Sequence, residues 1–232
     1  MKYRVENKYI VSEEQLTMIG ARLGAVMQQD VHQSGSFYNI RSLYFDTFDN
    51  SCMDENDSGI DQRQKFRIRT YEPAMDTLRL EIKAKERGFT SKTSCSLSHE
   101  ECRHLMHGTL PLGFDSRKPL NQLQLSIRCS KMEPKAIIWY QRTAFVHPTG
   151  NVRITFDRNI MVSTHTDCFL QDRIDGLIPV LPKNMHVLEV KYDEFLPDFI
   201  QEQLQIGGLY KTAFSKYYLG RLAAGGALLN GI

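Results

Sequence analysis

The chain has 232 residues, enough for one domain with a substantial core, and we expect a single domain over residues 1–232 because no linker interrupts the pattern. Hydrophobic residues make up 41% and charged residues 24% of the chain, a composition typical of a folded protein rather than a disordered one. The net charge of +2 argues against a surface that is basic throughout and binds nucleic acid generally, so a basic site must be local.

The first elements alternate between strand and helix. In chain order we predict a strand over 2–11, a helix from 13 to about 28, a strand over 41–47 and a short helix centred on Met53. The helix begins with a capping box, because Ser12 is followed three residues later by Gln15.

Two strongly charged strands follow, over 65–71 and 79–85. Both alternate with a period of two, which places the charged side chains on one face and apolar side chains such as Phe66, Ile68 and Ile82 on the other. The charged faces are mostly of one sign, and like charges on neighbouring strands repel. A multiply charged anion across these strands would remove the repulsion.

The rest of the chain predicts further strands and amphipathic helices, with no βαβ rhythm. The predicted strands are 90–96, 136–146, 152–157 and 187–192, and the predicted helices are 98–107, 120–130, 197–205 and 212–224. Residues 147–151 read as a hairpin turn, and the tail at about 225–232 is expected to be flexible. About eight strands and several helices in this order predict an α+β fold dominated by antiparallel sheet.

Location follows from what the sequence lacks. The start of the chain has no apolar run like that of a signal peptide, and no stretch approaches the roughly 18 apolar residues that cross a bilayer. The five cysteines are an odd number without a CxxC pair, which favours reduced thiols over a disulfide framework. We therefore expect a cytoplasmic protein.

The charged faces of six strands, together with Lys92 and Lys216, collect ten cations and four carboxylates. The cations are Lys8, Arg67, Arg69, Lys83, Lys85, Lys92, Arg142, Arg153, Lys191 and Lys216, and the carboxylates are Glu6, Glu81, Asp157 and Glu189. In one arrangement these faces simply meet water, as in an ordinary antiparallel sheet. In the other, which we favour, the sheet closes into a barrel with a polar, basic lumen, and amphipathic helices pack outside.

A lumen of Arg and Lys suits phosphate oxygens, because guanidinium groups bind them bidentately and ammonium groups supply point charge. Ten cations exceed the needs of one phosphate, so we expect a triphosphate or a longer phosphate chain and no nucleic acid. Glu6, Glu81 and Glu189 do not suit phosphate, but they suit Mg²⁺ or Mn²⁺ bound by a few carboxylates plus substrate phosphates. The alternative role of each carboxylate is to balance neighbouring Lys and Arg.

Eight short motifs in order resemble the VTC domain, the polyphosphate polymerase branch of the triphosphate tunnel metalloenzymes, which are related to the CYTH proteins. They are ENKY at 6–9, SLYFDT at 42–47, KFRIR at 65–69, LEIK at 80–83, YQR at 140–142, TFD at 155–157, LEVKY at 188–192 and FSKY at 214–217. Each motif alone is weak, but the ordered series covers nearly the whole chain.

The resemblance implies a β-barrel tunnel that binds ATP and extends polyphosphate by transfer of the γ-phosphate, with Mn²⁺ or Mg²⁺, releasing ADP. It implies catalytic phosphate contacts from Lys8, Arg67, Arg69, Lys83, Arg142, Arg153 and Lys216. It implies further substrate contacts from Lys92, Tyr140, Lys191 and Ser215, and metal contacts from Glu189 first and then Glu6 and Glu81. Oligomeric state and a membrane-protein partner are left open.

Two other functions stay open, a metal-dependent tripolyphosphatase and a non-catalytic polyphosphate or nucleotide sensor. Hydrolytic relatives commonly begin with an ExExK strand. In this chain Arg4 stands where that motif has its first glutamate, which disfavours the hydrolase. A growing polyphosphate end is already an ionised nucleophile, so polymerisation needs alignment and charge neutralisation but no general base. The sequence offers no evident nucleophile and base set and no P-loop, which favours polymerisation.

One rival cluster, His99, Cys102, His104 and His107, suggests zinc. The spacing does not put four ligands on one helix face, so we expect structural or surface roles. The aromatic side chains on apolar faces are expected in the core: Tyr9, Phe66, Trp139 and Phe156.

Overall fold

The computed structural model describes residues 4–31, 33, 35–87, 89–109, 113 and 116–226. The strands are β1 (Val5–Ser12), β2 (Gln28–Gln29), β3 (Tyr38–Asp46), β4 (Arg63–Glu72), β5 (Leu78–Glu86), β6 (Phe89–Leu97), β7 (Glu133–His147), β8 (Val152–Ser163), β9 (Ile178–Pro179) and β10 (Met185–Tyr192). The helices are α1 (Glu13–Val26), α2 (Ser51–Asp57), α3 (His99–His107), α4 (Lys118–Cys129), α5 (Asp198–Gln203) and α6 (Lys216–Ala224). The tail that we expected to be flexible lies, beyond residue 226, outside the described residues.

The chain divides into two compact units, each assembled from three segments. Unit 1 comprises Met1–Asn39, Tyr140–Ile160 and Pro179–Ser215, and unit 2 comprises Ile40–Trp139, Met161–Ile178 and Lys216–Ile232. In unit 1 the strand order is β1, β10, β8, β7, and in unit 2 it is β3, β4, β5, β6. The pairs β1 with β10, β10 with β8, β4 with β5 and β5 with β6 are antiparallel, which confirms the predicted α+β class. The single domain stays a prediction.

In unit 1, helix α1 covers the apolar face of the sheet. The predicted capping box is present, with the Ser12 side chain accepting from the Gln15 backbone amide and the Gln15 side chain accepting from the Ser12 amide. The apolar stripe of α1, Leu16, Ile19 and Leu23, is fully buried in a cluster with residues of β1, β8 and β10. The charged side chains at alternate strand positions are thereby directed to the opposite face.

In unit 2, β4 and β5 bury the apolar residues that the alternation predicted, including Phe66, Ile68 and Ile82. Helix α4 packs on β5 and β6, and its buried residues are Pro119, Leu120 and Leu123. Burial of this apolar face fixes the register, because a shift of one residue would turn every charge into the core.

Most predicted elements are confirmed, with different bounds at the ends of the chain. Helix α5 ends at Gln203, and α6 begins at Lys216 instead of residue 212. The short strands β2 and β9 and the helical turn Thr166–Leu170 were not predicted. Among the described helices, none has the length and apolar character that spanning a bilayer demands.

Candidate functional site

The charged face of unit 2 is built from three rows of residues that lie directly opposite one another on β4, β5 and β6. The rows are Lys65, Lys83 and Lys92; Arg67, Glu81 and Ser94; and Arg69, Arg79 and Ser96. The first row places three lysines in adjacent pairing positions, where like charges destabilise a sheet. The strands therefore collect positive charge on one face, which favours binding of an anion there.

Glu81 lies at the centre of these rows and is only 3% exposed. Its Oε2 accepts from Arg67 Nε at 2.7 Å and from Arg67 Nη2 at 2.6 Å, and Arg69 Nη1 is 3.8 Å away. Its other oxygen, Oε1, contacts the Lys92 ammonium group. Burial raises the pKa of Glu81, but Arg67, Arg69 and Lys92 together lower it to about 2, so the carboxylate is ionised at neutral pH.

Arg69 is a buried guanidinium with spare hydrogen-bonding capacity. The residue is 9% exposed, and its Nε has no hydrogen-bond partner in the part of the chain that the structure describes. The hydroxyl of Ser42 on β3, which is 1% exposed, also has no such partner there. Buried polar groups are nearly always hydrogen-bonded, so these atoms favour a bound polar ligand on this unit.

Tyr44 on β3 supports the same face. Its hydroxyl accepts from Arg67 Nη1 at 2.9 Å, and its ring stacks on Tyr217 with centroids 5.1 Å apart. Burial raises the pKa of Tyr44, but Arg67, Arg69 and Lys216 lower it below its usual value. Lys216 therefore acts electrostatically on the same tyrosine as the arginines of β4.

Tyr217 is itself fixed by Asp46, a carboxylate with no solvent exposure. The Tyr217 hydroxyl donates to Asp46 Oδ2 at 2.6 Å, while Asp46 also accepts from the backbone amides of Thr47, Cys52 and Met53. Burial and the Asp46 carboxylate raise the pKa of Tyr217. The start of α2 and the start of α6 are thus held by one carboxylate.

Unit 1 carries a different arrangement, in which two lysines stand between two carboxylates. Lys8 Nζ lies 3.0 Å from Glu6 Oε1 and 3.8 Å from Glu189 Oε1. Lys191 Nζ lies 3.7 Å from Glu6 Oε2 and 3.3 Å from Glu189 Oε2. The strand register explains this alternation, because Glu6 pairs with Lys191 and Lys8 pairs with Glu189.

Arg142 and Asp157 form a buried bidentate ion pair in the same unit. Arg142 Nε and Nη2 donate to the two Asp157 oxygens at 2.6 and 2.7 Å, and Asp157 is 0% exposed. Arg142 Nη2 also lies 3.7 Å from Glu189 Oε2, and its guanidinium sits 5.3 Å from the centre of the Tyr140 ring. Burial lowers the pKa of Arg142, but Asp157, Tyr140 and Glu189 raise it well above its usual value.

Arg153 has partners of its own. It forms an ion pair with the Asp30 carboxylate and donates to the Tyr38 hydroxyl at 3.3 Å. Lys8 also donates to the backbone carbonyl of Phe214 at 2.9 Å, next to the predicted contact Ser215. The sequence-predicted residues of unit 1 therefore lie in a network that already balances their charges.

Glu189 and Glu6 fit a divalent metal as a pair of carboxylates. Both lie near the same two ammonium groups, and the contacts of Glu189 with Lys8 and Lys191, at 3.8 and 3.3 Å, are longer than direct hydrogen bonds of a carboxylate to a cation. Thr155 is opposite Glu189 on β8, and its buried hydroxyl has no partner among the described atoms, which favours a bound polar ligand or ion beside Glu189. Since Mg²⁺ and Mn²⁺ need only one or two carboxylates when phosphates and water complete the shell, the set suffices.

No group of three or more His, Cys, Asp or Glu side chains could hold a metal among the described residues. Cys102 is fully buried, and burial raises its pKa to about 12. His104 Nδ1 lies 2.9 Å from the Thr109 hydroxyl. The structural or surface roles expected for the cluster on α3 stay a prediction.

Sequence reasoning assigned no role to several residues of these networks. They are Asp30, Ser42, Tyr44, Asp46, Thr155 and Tyr217. Ser42, Tyr44 and Asp46 alternate along β3, a pattern of polar side chains that could have indicated a polar face.

The sequence model of the VTC domain matches residues 3–224. None of the curated proteins matches this chain in sequence. The solved structures with the same fold include three proteins that are described as candidate adenylate cyclases.

The protein from Hippeastrum, described as having a dominant triphosphatase activity, is 12% identical, with 99% of this chain and 98% of that one covered and a TM-score of 0.58. The protein from Bacillus halodurans is 16% identical, with 88% and 87% covered and a TM-score of 0.52. The protein from Vibrio parahaemolyticus is 13% identical, with 94% and 97% covered and a TM-score of 0.51. These likenesses agree with the predicted triphosphate-tunnel fold, and the chain belongs to the VTC domain family.

Proposed function

We propose that this protein is an ATP-dependent polyphosphate polymerase, which transfers the γ-phosphate of ATP to a growing polyphosphate chain and releases ADP. One observation carries the proposal: unit 2 presents the row Lys65, Lys83 and Lys92 beside Arg69, whose buried Nε lacks a partner among the described residues. A chain of phosphates supplies anionic oxygens to both the ammonium row and the guanidinium.

The residues of the two units have different roles in this reaction. Arg67, Arg69, Lys83, Lys92 and Lys216 bind phosphate oxygens and neutralise their charge. In unit 1, Glu189 and Glu6 hold Mn²⁺ or Mg²⁺, with Tyr140 and Ser215 donating hydrogen bonds to substrate. When bound, the metal neutralises charge that develops on the transferred phosphoryl group.

Arg142, Arg153, Lys8 and Lys191 already contact carboxylates, so we propose that they bind phosphate while these carboxylates keep them in place. Such fixed cations need little reorganisation during the reaction.

The nucleophile requires no general base, because the terminal phosphate of the acceptor chain is already ionised. No histidine or cysteine occupies the charged-face positions described for β1, β4, β5, β6 and β10. The chemistry therefore depends on alignment and charge neutralisation, which these side chains supply.

Incubation of the pure protein with ATP and Mn²⁺, followed by gel electrophoresis, tests the proposal. We expect a ladder of polyphosphate chains together with ADP. Lys83→Ala should abolish the ladder, whereas Arg103→Ala, which removes an exposed positive charge from α3, should retain it. Retention of a full ladder in Lys83→Ala would contradict the proposed site.

A metal-dependent tripolyphosphatase is the second candidate, favoured by the triphosphatase activity described for the Hippeastrum protein of the same fold. Orthophosphate without a ladder would identify this activity. Tight ATP binding with no turnover under Mn²⁺ or Mg²⁺ would instead identify a polyphosphate or nucleotide sensor. We also propose a cytoplasmic location, which fractionation of cells with an antibody against this protein would test.

A further inference from the structure

Glu81 is the sole carboxylate in the three rows of β4, β5 and β6, and the described contacts bring three cations to it. Arg67 donates twice to Oε2, Arg69 lies 3.8 Å from the same oxygen, and Lys92 contacts Oε1. Both carboxylate oxygens are therefore occupied by positive groups. Glu189 also has three cations nearby, but at 3.3–3.8 Å, whereas Arg67 binds Glu81 directly at 2.6 and 2.7 Å. A divalent cation at Glu81 would have to displace this guanidinium and meet the repulsion of Arg69 and Lys92, which disfavours the metal role expected from the sequence.

The contacts fix Arg67 in particular. Two of its nitrogens, Nε and Nη2, are held by Glu81, and Nη1 is held by the Tyr44 hydroxyl. Contacts at all three guanidinium nitrogens hold the side chain in one orientation before a ligand arrives. Side chains fixed before binding lose less entropy when the ligand arrives.

The Glu81 carboxylate also weakens binding of the phosphate chain. A phosphate chain that reaches Arg67, Arg69 and Lys92 competes with Glu81 for their N–H donors and is repelled by its charge. A polymer that must advance along its binding site needs contacts strong enough to hold it and weak enough to release it. A buried anion among the phosphate-binding cations weakens binding of the chain while leaving the cations in place.

We propose that Glu81 is a positioning residue that aims Arg67, Arg69 and Lys92 at the phosphate chain and, as a built-in competitor for these cations, speeds release of the chain. The inference rests on the proposed function and deepens it, because it explains how bound polyphosphate can move between turnovers. It also predicts that loss of the Glu81 charge strengthens binding of the phosphate chain, whereas loss of a metal ligand would lower the affinity for the metal.

The test measures dissociation of inorganic tripolyphosphate from the whole protein by stopped flow in metal-free buffer. Coulomb's law at an effective dielectric constant of about 20 allows up to about a hundredfold effect for one charge about 6 Å away. Relaxation and the loss of the Arg67 anchor reduce this value, so we expect dissociation from Glu81→Gln to be slower by about tenfold. Glu81→Asp keeps the charge and should restore release to within about threefold of the wild-type rate.

Two further variants distinguish an effect of charge at the site from an effect on folding. Glu86→Gln removes the same charge from the other face of β5 and should leave the rate unchanged. Ser94→Asp adds a carboxylate opposite Glu81 at an exposed site and should speed release. In the full reaction with ATP, Glu81→Gln should lower KM and lower kcat, a split that mere loss of stability would not produce.

Release from Glu81→Gln at the wild-type rate or faster, or a Ser94→Asp rate no faster than wild type, would overturn this inference and leave the proposed function intact. Failure of the wild-type protein to bind tripolyphosphate would overturn both. Loss of metal affinity in Glu81→Gln with unchanged tripolyphosphate release would assign Glu81 to the metal and overturn the inference alone.

Discussion

The Asp157→Asn substitution tests the buried ion pair of unit 1. Asp157 is fully buried and accepts two hydrogen bonds from Arg142, whose side chain is 9% exposed. Removing one partner of a buried pair leaves an uncompensated charge and costs about 3–5 kcal/mol. Because Glu189 lies 3.7 Å from Arg142 and the asparagine can still accept one hydrogen bond, we expect about 3 kcal/mol.

Urea and thermal unfolding followed by circular dichroism measure this cost. For a chain of this size 1 kcal/mol corresponds to about 2–4 °C, so the midpoint should fall by roughly 6–12 °C. Asp193→Asn is the matched control, because its ion pair with Arg4 spans 3.9 Å at the surface and should contribute less than about 1 kcal/mol. An Asp157→Asn cost no greater than that of Asp193→Asn would refute the reasoning.

A double variant distinguishes the uncompensated charge from loss of packing. Replacement of Arg142 by Met together with Asp157 by Leu removes both charges and leaves no buried ion without a partner. We expect this double variant to be more stable than Asp157→Asn, since apolar replacement of a buried pair is often neutral or stabilising. If the double variant is less stable, shape rather than charge dominates the site.

Three further predictions concern other parts of the fold. Arg41→Met should destabilise the protein by about 3 kcal/mol in urea unfolding, because Arg41 is 1% exposed and donates to the Glu72 carboxylate and to the backbone carbonyls of residues 168, 169, 171 and 172. The pKa of Glu81 is 4.5 in the unfolded chain and about 2 in the folded protein, so the stability that its charge contributes is present above pH 4.5 and is lost as the pH falls towards 2. Urea titrations should therefore show that the difference in the free energy of unfolding between wild type and Glu81→Gln narrows over that pH range. Gly150→Ala should lower the melting temperature, because φ is +72° and a Cβ would lie 2.6 Å from a backbone oxygen, whereas Gly24→Ala in α1 meets no atom and should raise stability by about 1 kcal/mol.

The parts of the fold set by short-range patterns could be predicted from the sequence. Alternation over 65–71 and 79–85 correctly placed Phe66 and Ile82 in the core, and the spacing of Ser12 and Gln15 correctly placed the start of α1. These features depend on residues a few positions apart, so each carries its own signal. The class of the fold followed from their order along the chain.

The pairings within the site could not be predicted, because they depend on register between distant strands. Alternation showed that Arg67 and Glu81 lie on charged faces, but only the structure shows that they face each other and that Lys65 faces Lys83. The contact of Tyr217 with Asp46 joins residues 171 positions apart, and no local pattern marks it. The sequence likewise could not show that Glu81, expected as a metal contact, lies beside Arg67, Arg69 and Lys92.

The charge balance of each unit determines which ion it attracts. In unit 1 the described charged-face cations each contact a carboxylate: Lys8 and Lys191 with Glu6 and Glu189, Arg142 with Asp157, and Arg153 with Asp30. These four cations and four carboxylates sum to no net charge, so the network has little excess positive charge with which to attract an anion. In unit 2 the three rows hold one carboxylate against six cations, so a strongly charged anion neutralises an excess. Tripolyphosphate binding should therefore weaken steeply with added salt and should survive loss of Glu189, because the attraction originates in unit 2.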